Sequence, residues 1–189
     1  MTSDIPQHLK QYCMNANIAL SVAHAQNDHP LVFINKKFEL LTQYSSQELI
    51  GVNCRLLQGS ASHEHNTKSR QAIHEFLSTP EINNIRTSLV NYRKDKTPFI
   101  NLLFMSKLTS SSGELKFIFA SQFEISNSQS HLLDDYNNEL RQTLRDINPI
   151  LSESNIMSEG SLIAIANTSK SIAQAKLLLD DLEKNMNSF

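Results

Sequence analysis

Cys54 stands between a carboxamide, Asn53, and a guanidinium, Arg55, in the run Gly51-Val52-Asn53-Cys54-Arg55-Leu56-Leu57-Gln58, with Gly59 directly after. A thiol at the start of a short apolar helical turn suits a ligand better than a packed core. It can react with, or lie beside, a flat and partly polar molecule whose anionic tail reaches Arg55. Further along, Asn91, Asn101 and Gln122 fall in strand-like stretches. Side chains two apart in a strand share a face, so Asn101 goes with Leu103 and Met105, and Gln122 goes with Ile118 and Ala120. Each amide alone reads most simply as a satisfied structural group. Three on one wall that also faces Cys54 suit the polar edge of a heteroaromatic ring.

The elements that must position these groups follow from periodicity and turn signals. Residues 4–16 predict an N-terminal helix after the Asp4 and Pro6 start signal. Residues 18–22 and 31–34 predict a hairpin across the turn cluster 26–30. Short helices follow over 36–43 and 45–49. A more regular helix over 64–77 carries Arg70, Ile73 and Leu77 at helical spacing and ends before Pro80. Residues 82–93, 97–108 and 115–125 predict an antiparallel meander through turns at 94–96 and 111–113. Two strands, a cluster of helices and three more strands give an α+β domain, a five-stranded antiparallel sheet with helices on one face. The other face would carry Leu102, Phe104, Phe117, Phe119 and Phe123, an apolar patch too large to stay wet. Its cover is the N-terminal helix, the C-terminal segment or a second copy of the chain.

Beyond a polar linker at 126–130, Leu133, Leu140 and Ile147 recur every seven residues, offset by Asn137, Leu144 and Leu151. A second helix after 152–160 places Ile165, Ile172, Leu179 and Met186 on one series and Ala175, Leu182 and Phe189 on another. This predicts a helical hairpin that dimerises into a four-helix bundle, in preference to one folded back on its own sheet, with Asn137 fixing the register of the seam. The organisation is thus a cap helix over 1–17, a ligand-binding domain over 18–125 and a helical extension over 126–189.

Composition narrows the function classes. The 189 residues carry a net charge of −2, which gives no electrostatic case for nucleic acid. No apolar run approaches the length of a bilayer span, and no secretion signal is evident. Two cysteines make neither a disulfide framework nor a metal site, and a free thiol suits a reducing compartment, here the cytoplasm. His63 and His65 lack a cysteine partner and read as solvated side chains, so no metal is expected.

The Gly51 to Gly59 run resembles the G-x-N-C-R-F-L-Q-G signature of LOV domains, the blue-light-sensing branch of the PAS fold. The resemblance extends through Asn35 and Phe38, Arg70-Gln71-Ala72-Ile73, Asn91-Tyr92-Arg93-Lys94-Asp95, Thr97-Pro98-Phe99-Ile100-Asn101-Leu102-Leu103-Phe104 and Ser121-Gln122, covering about residues 18–125. It departs from the pattern at Leu56, where phenylalanine is common, and at Ala120, where glycine is common. The resemblance implies a flavin, FMN, with Cys54 as the thiol that bonds reversibly to the flavin C4a after blue-light excitation. It implies a phosphate held by Arg55 and Arg70, and hydrogen bonds from Asn53, Gln58, Asn91 and Asn101. Gln122 would face N5 and O4, and Leu57, Ile73, Leu103 and Met105 would contact the ring as apolar walls. The implied output is a change in homodimerisation or in binding a downstream protein, not an enzymatic reaction. A PAS-fold flavin redox sensor and a cofactor-free interaction module are the alternatives. Residues 144–150 weakly resemble a histidine-kinase box, but Leu144 stands where the phosphorylated histidine would be.

Overall fold

The computed structural model describes residues 5–59, 65–125 and 130–157. Helix α1 (Gln7–Asn15) leads into β1 (Ala19–His24) and β2 (Leu31–Ile34). Two short helices, α2 (Lys36–Thr42) and α3 (Ser46–Leu49), precede a 3-10 turn over Cys54–Gln58 and the longer α4 (Thr67–Ser78). The meander β3 (Asn84–Tyr92), β4 (Pro98–Ser110) and β5 (Leu115–Glu124) follows, then α5 (Ser130–Glu153) and the two-residue β6 (Ile156–Met157). The strands form one antiparallel sheet in the order β2-β1-β5-β4-β3, and β6 joins β4 past the end of its pairing with β3.

The five strands and the α+β class expected from the sequence are present. The short β6 lies outside that expectation, because two residues carry no periodicity. Local chemistry explains several junctions. The Asn35 carboxamide caps α2 by accepting from the Phe38 N–H at 3.0 Å, accepts from the Leu20 N–H at 3.0 Å, and donates to the Ile18 and Cys13 carbonyls at 2.8 and 3.1 Å. One buried side chain thereby ties the end of α1, β1 and the start of α2, with its donor and acceptor ends all used. Asn66 does similar work at the other side of the sheet, bonding both the N–H and the carbonyl of Val90 on β3. That covers part of an edge strand, whose free backbone groups would otherwise invite pairing with another chain.

The sheet divides the molecule into two layers. On the outer face, Leu102, Phe104, Phe117 and Phe119 merge with Leu9 and Cys13 of α1 and with Leu133, Tyr136, Leu140, Leu144, Ile147 and Leu151 of α5 into one buried cluster. The cover is therefore the chain's own α1 and α5. This corrects the expectation that the first C-terminal helix saves its seam for a partner: both series of heptad positions are spent on the sheet. Asn137 is corrected with it, since its Oδ1 accepts from Arg86 Nη2 on β3 at 2.6 Å and so fixes α5 to the sheet. Phe123 is half-buried and stacks on Tyr136, with ring centroids 4.6 Å apart. The expected second helix of the hairpin lies outside the described residues.

Candidate functional site

On the inner face the helices stand off the sheet and leave a cavity of about 320 Å³, within the size range of small-molecule sites. Its floor is the inward set of the strands: Ser21 and Ala23 from β1, Leu89 and Asn91 from β3, Asn101, Leu103 and Met105 from β4, and Ile118, Ala120 and Gln122 from β5. Arg70, Ile73, His74 and Leu77 of α4 form one wall, and Asn53, Cys54, Arg55 and Gln58 of the 3-10 turn form the other.

The turn is built to hold the thiol in place. Asn53 caps it, its Oδ1 accepting from the Arg55 N–H at 2.8 Å, while its Nδ2 donates to the Asp28 carbonyl. Backbone bonds between Leu31 and both Val52 and Gly51, 2.9 and 2.8 Å long, dock the approach to the turn on β2. Gly59 ends it at φ +60°, where an added Cβ would sit 3.1 Å from the Tyr92 ring, so glycine meets both a conformational and a steric need.

The electrostatics of the site are unusual for a core. Asn91 Oδ1, Asn101 Oδ1 and Gln122 Oε1 are buried without a hydrogen-bond partner, although nearly all buried polar groups in proteins have one. Leaving such an acceptor unpaired costs about 1–3 kcal/mol. Such acceptors suit a ring edge that presents an N–H donor, as the pyrimidine edge of a flavin does. Burial pushes the Cys54 thiol up to about 12, so it is neutral at physiological pH and is not a ground-state nucleophile. Arg55 extends from the turn and pairs with the Asp28 carboxylate, both side chains largely exposed. A phosphate at this mouth would meet Arg55 and Arg70 on opposite walls.

Of the residues singled out from the sequence, Asn53, Cys54, Arg55, Gln58, Arg70, Ile73, Asn91, Asn101, Leu103, Met105 and Gln122 line the cavity. Leu57 does not, which corrects its assignment as a wall. It is buried instead in a small cluster with Ala19, Leu31, Ile34, Phe38 and Leu49, which borders the cavity through Leu31. Sequence reasoning did not single out Ser21, Ala23, His29, Leu31, His74, Leu77 and Leu89, which also line the cavity. Strand alternation would have found Ser21, and helical spacing from Arg70 and Ile73 would have found His74 and Leu77. His29, in the turn after β1, has no such signal. Among the described residues no group of three or more His, Cys, Asp or Glu could hold a metal ion, and no helix is long and apolar enough to cross a membrane.

The PAS domain family profile matches residues 20–127, more than half of the chain. The chain belongs to the PAS-domain family. Within that family the resemblance to LOV domains is borne out by its relatives. The blue light receptor lreA of Aspergillus flavus is 35% identical over 106 residues, 53% of this chain and 12% of that protein. A blue-light-activated histidine kinase of Brucella anthropi is 33% identical over 107 residues, 57% of this chain and 21% of that one. This PAS-family chain thus spans well under two thirds of the length of those relatives. In fold it is similar to the Rhodobacter sphaeroides LOV protein, with a TM-score of 0.71 at 22% identity, covering 95% of this chain and 99% of the other.

Proposed function

We propose that the chain is a blue-light photoreceptor that holds FMN in the inner-face cavity and records light through Cys54. The observation that carries this reading is the convergence of three partnerless buried carboxamide oxygens and a neutral thiol on one cavity. Asn91, Asn101 and Gln122 hold the ring edge, Asn53 and Gln58 the polar chain, Arg55 and Arg70 the phosphate, and Ile73, Leu103 and Met105 pack on the ring.

The bound flavin supplies the photochemistry, and the protein supplies position and electrostatics. Cys54, on the cavity wall, would be the thiol whose sulfur and proton the excited ring takes up and gives back in the dark. A thiol held near 12 by burial is suited to this, because it stays protonated in the dark.

The signal then leaves through Gln122 on β5. Its chain neighbour Ser121, on the opposite face, bonds the Tyr136 hydroxyl of α5 at 2.7 Å in the core. Output is a change in self-association or in binding a further protein, in the reducing interior of the cell, and not catalysis. Shifting such an equilibrium from nearly all one state to nearly all the other takes roughly 5 kcal/mol of differential stabilisation, so more than one contact of α5 must change.

Titrating flavin-free protein with FMN and then illuminating it tests the reading. The expected result is a yellow complex whose visible band bleaches under blue light and returns in the dark, with Cys54→Ala binding FMN but not bleaching reversibly. A wild-type chain that binds no flavin, or a Cys54→Ala variant that bleaches as the wild type does, overturns it. Bleaching without any change in size-exclusion profile or partner capture would contradict the output alone.

A further inference from the structure

Ser21 on β1 is 2% exposed, and its Oγ accepts a hydrogen bond from Gln122 Nε2 at 3.2 Å. The other end of the same amide, Oε1, is buried without a partner beside the cavity that both residues line. The register explains the contact: Gln122 lies opposite Ala19 and Ser21 opposite Ala120, which makes Ser21 and Gln122 diagonal neighbours on one face. A carboxamide has one donor end and one acceptor end, whereas a hydroxyl both donates and accepts. Whichever end of the amide turns toward the cavity, Ser21 can pair with the end turned away.

We infer that Ser21 is a positioning residue for Gln122, accepting from Nε2 when Oε1 faces the ligand and donating to Oε1 when Nε2 does. The amide can then reverse inside a dry core without orphaning either end. This inference rests on the light-sensing reading. When light turns the group beside Gln122 from a hydrogen-bond acceptor into a donor, Gln122 must present Oε1 where it had presented Nε2, and Ser21 must exchange roles with it. Without the Ser21 hydroxyl, the light state orphans Nε2 and the dark state leaves Oε1 short of a donor. An orphaned buried N–H is tolerated less often than an under-satisfied carbonyl, so the light state loses more and decays faster.

Four variants test this. Ser21→Ala should speed dark recovery about tenfold, consistent with the loss of one buried partner. Ser21→Thr, which keeps the hydroxyl, should recover close to the wild-type rate, and its near-isostere Ser21→Val should behave as Ser21→Ala does. In a Gln122→Leu background Ser21→Ala should change nothing further, whereas a merely structural serine would have the same effect in both backgrounds. A flavin-independent readout accompanies these rates. In isotope-labelled, flavin-free protein the Gln122 side-chain amide resonances should move in Ser21→Ala and Ser21→Val but not in Ser21→Thr. Unchanged resonances, or Thr and Val variants that recover alike, would overturn the role of Ser21 while normal bleaching left the photoreceptor reading standing. A wild-type chain that never bleached would sink that reading, and the resonances of the flavin-free protein would still decide the Ser21 contact.

Discussion

The two faces of the sheet are made by the same strands and differ in one respect above all: how their polar groups are satisfied. On the outer face the apolar cluster is continuous, and the polar side chains embedded in it bond one another, although Arg86 Nε is buried without a hydrogen bond while its Nη2 is engaged. Tyr136 bonds Ser121, Asn137 accepts from Arg86, and Tyr12 donates to Asp146 at 2.9 Å across α1 and α5. On the inner face the apolar residues fall into two smaller clusters around a cavity, and three carboxamide oxygens are left without partners. Asn35 shows that this chain can satisfy a buried carboxamide completely when the purpose is structural. The inner face thus keeps unpaired carboxamide oxygens beside a cavity, as the proposed flavin site requires, whereas Asn35 is fully engaged as scaffold.

The comparison can be broken first by deletion. Leu140 is fully buried between α5 and the sheet, so Leu140→Ala should cost about 2–5 kcal/mol of folding stability. Leu103→Ala, which removes a side chain already bordering the cavity, should cost clearly less in flavin-free protein. Chemical denaturation of both variants measures the difference, and equal losses would mean that the inner face is packed as tightly as the outer.

A smaller effect should appear in alkali. Burial holds Cys13 and Tyr136 up to about 12, from ordinary values of 9.0 and 10.0. The unfolded chain loses these protons first, so their contribution is intact below about pH 9 and is lost as pH rises toward 12. Cys54 acts in the same direction from the inner face. Denaturation midpoints measured across this range should fall steadily, and a flat profile would contradict the burial of these groups.

Single hydrogen bonds sharpen the contrast further. Tyr136→Phe deletes the bond to Ser121 and leaves that hydroxyl buried, so a loss of about 1–2 kcal/mol is expected in thermal or chemical unfolding. Gln122→Leu removes a buried oxygen that has no partner, at the cost of one bond to Ser21. The relief of the unpaired oxygen offsets the bond lost at Ser21, so the net change in flavin-free stability should stay below about 1 kcal/mol and below that of Tyr136→Phe. A large loss in Gln122→Leu would show that the inner amides are structural after all.

How far the sequence reveals this division depends on the residue. Period-two alternation separates Asn101, Leu103 and Met105 from Ile100, Leu102 and Phe104, so the cavity floor and the buried face are both legible in the order of residues alone. The turn motif makes Cys54, Asn53 and Arg55 legible as well. Leu57 is not, because a 3-10 turn rotates successive side chains differently from an α-helix, and its apolar character fits a wall and a core equally. Nor is the fate of α5, since a heptad pattern records an apolar stripe without recording what covers it. The stripe could meet a partner helix or the exposed aromatics of β5, and the nearness of a linker of only a few residues brings it to its own sheet. Contacts between side chains distant in sequence, such as Arg86 with Asn137 or Ser21 with Gln122, leave no local signature at all.

The central claim is that the inner face receives the light signal and the outer face reports it through α5. Amide hydrogen exchange of the FMN-loaded protein, in the dark and under continuous blue light, reads both faces in one measurement. The account predicts faster exchange under light in α5 around Tyr136 and in neighbouring β5, absent in Cys54→Ala. Unchanged exchange in α5 while the flavin bleaches fully would contradict it.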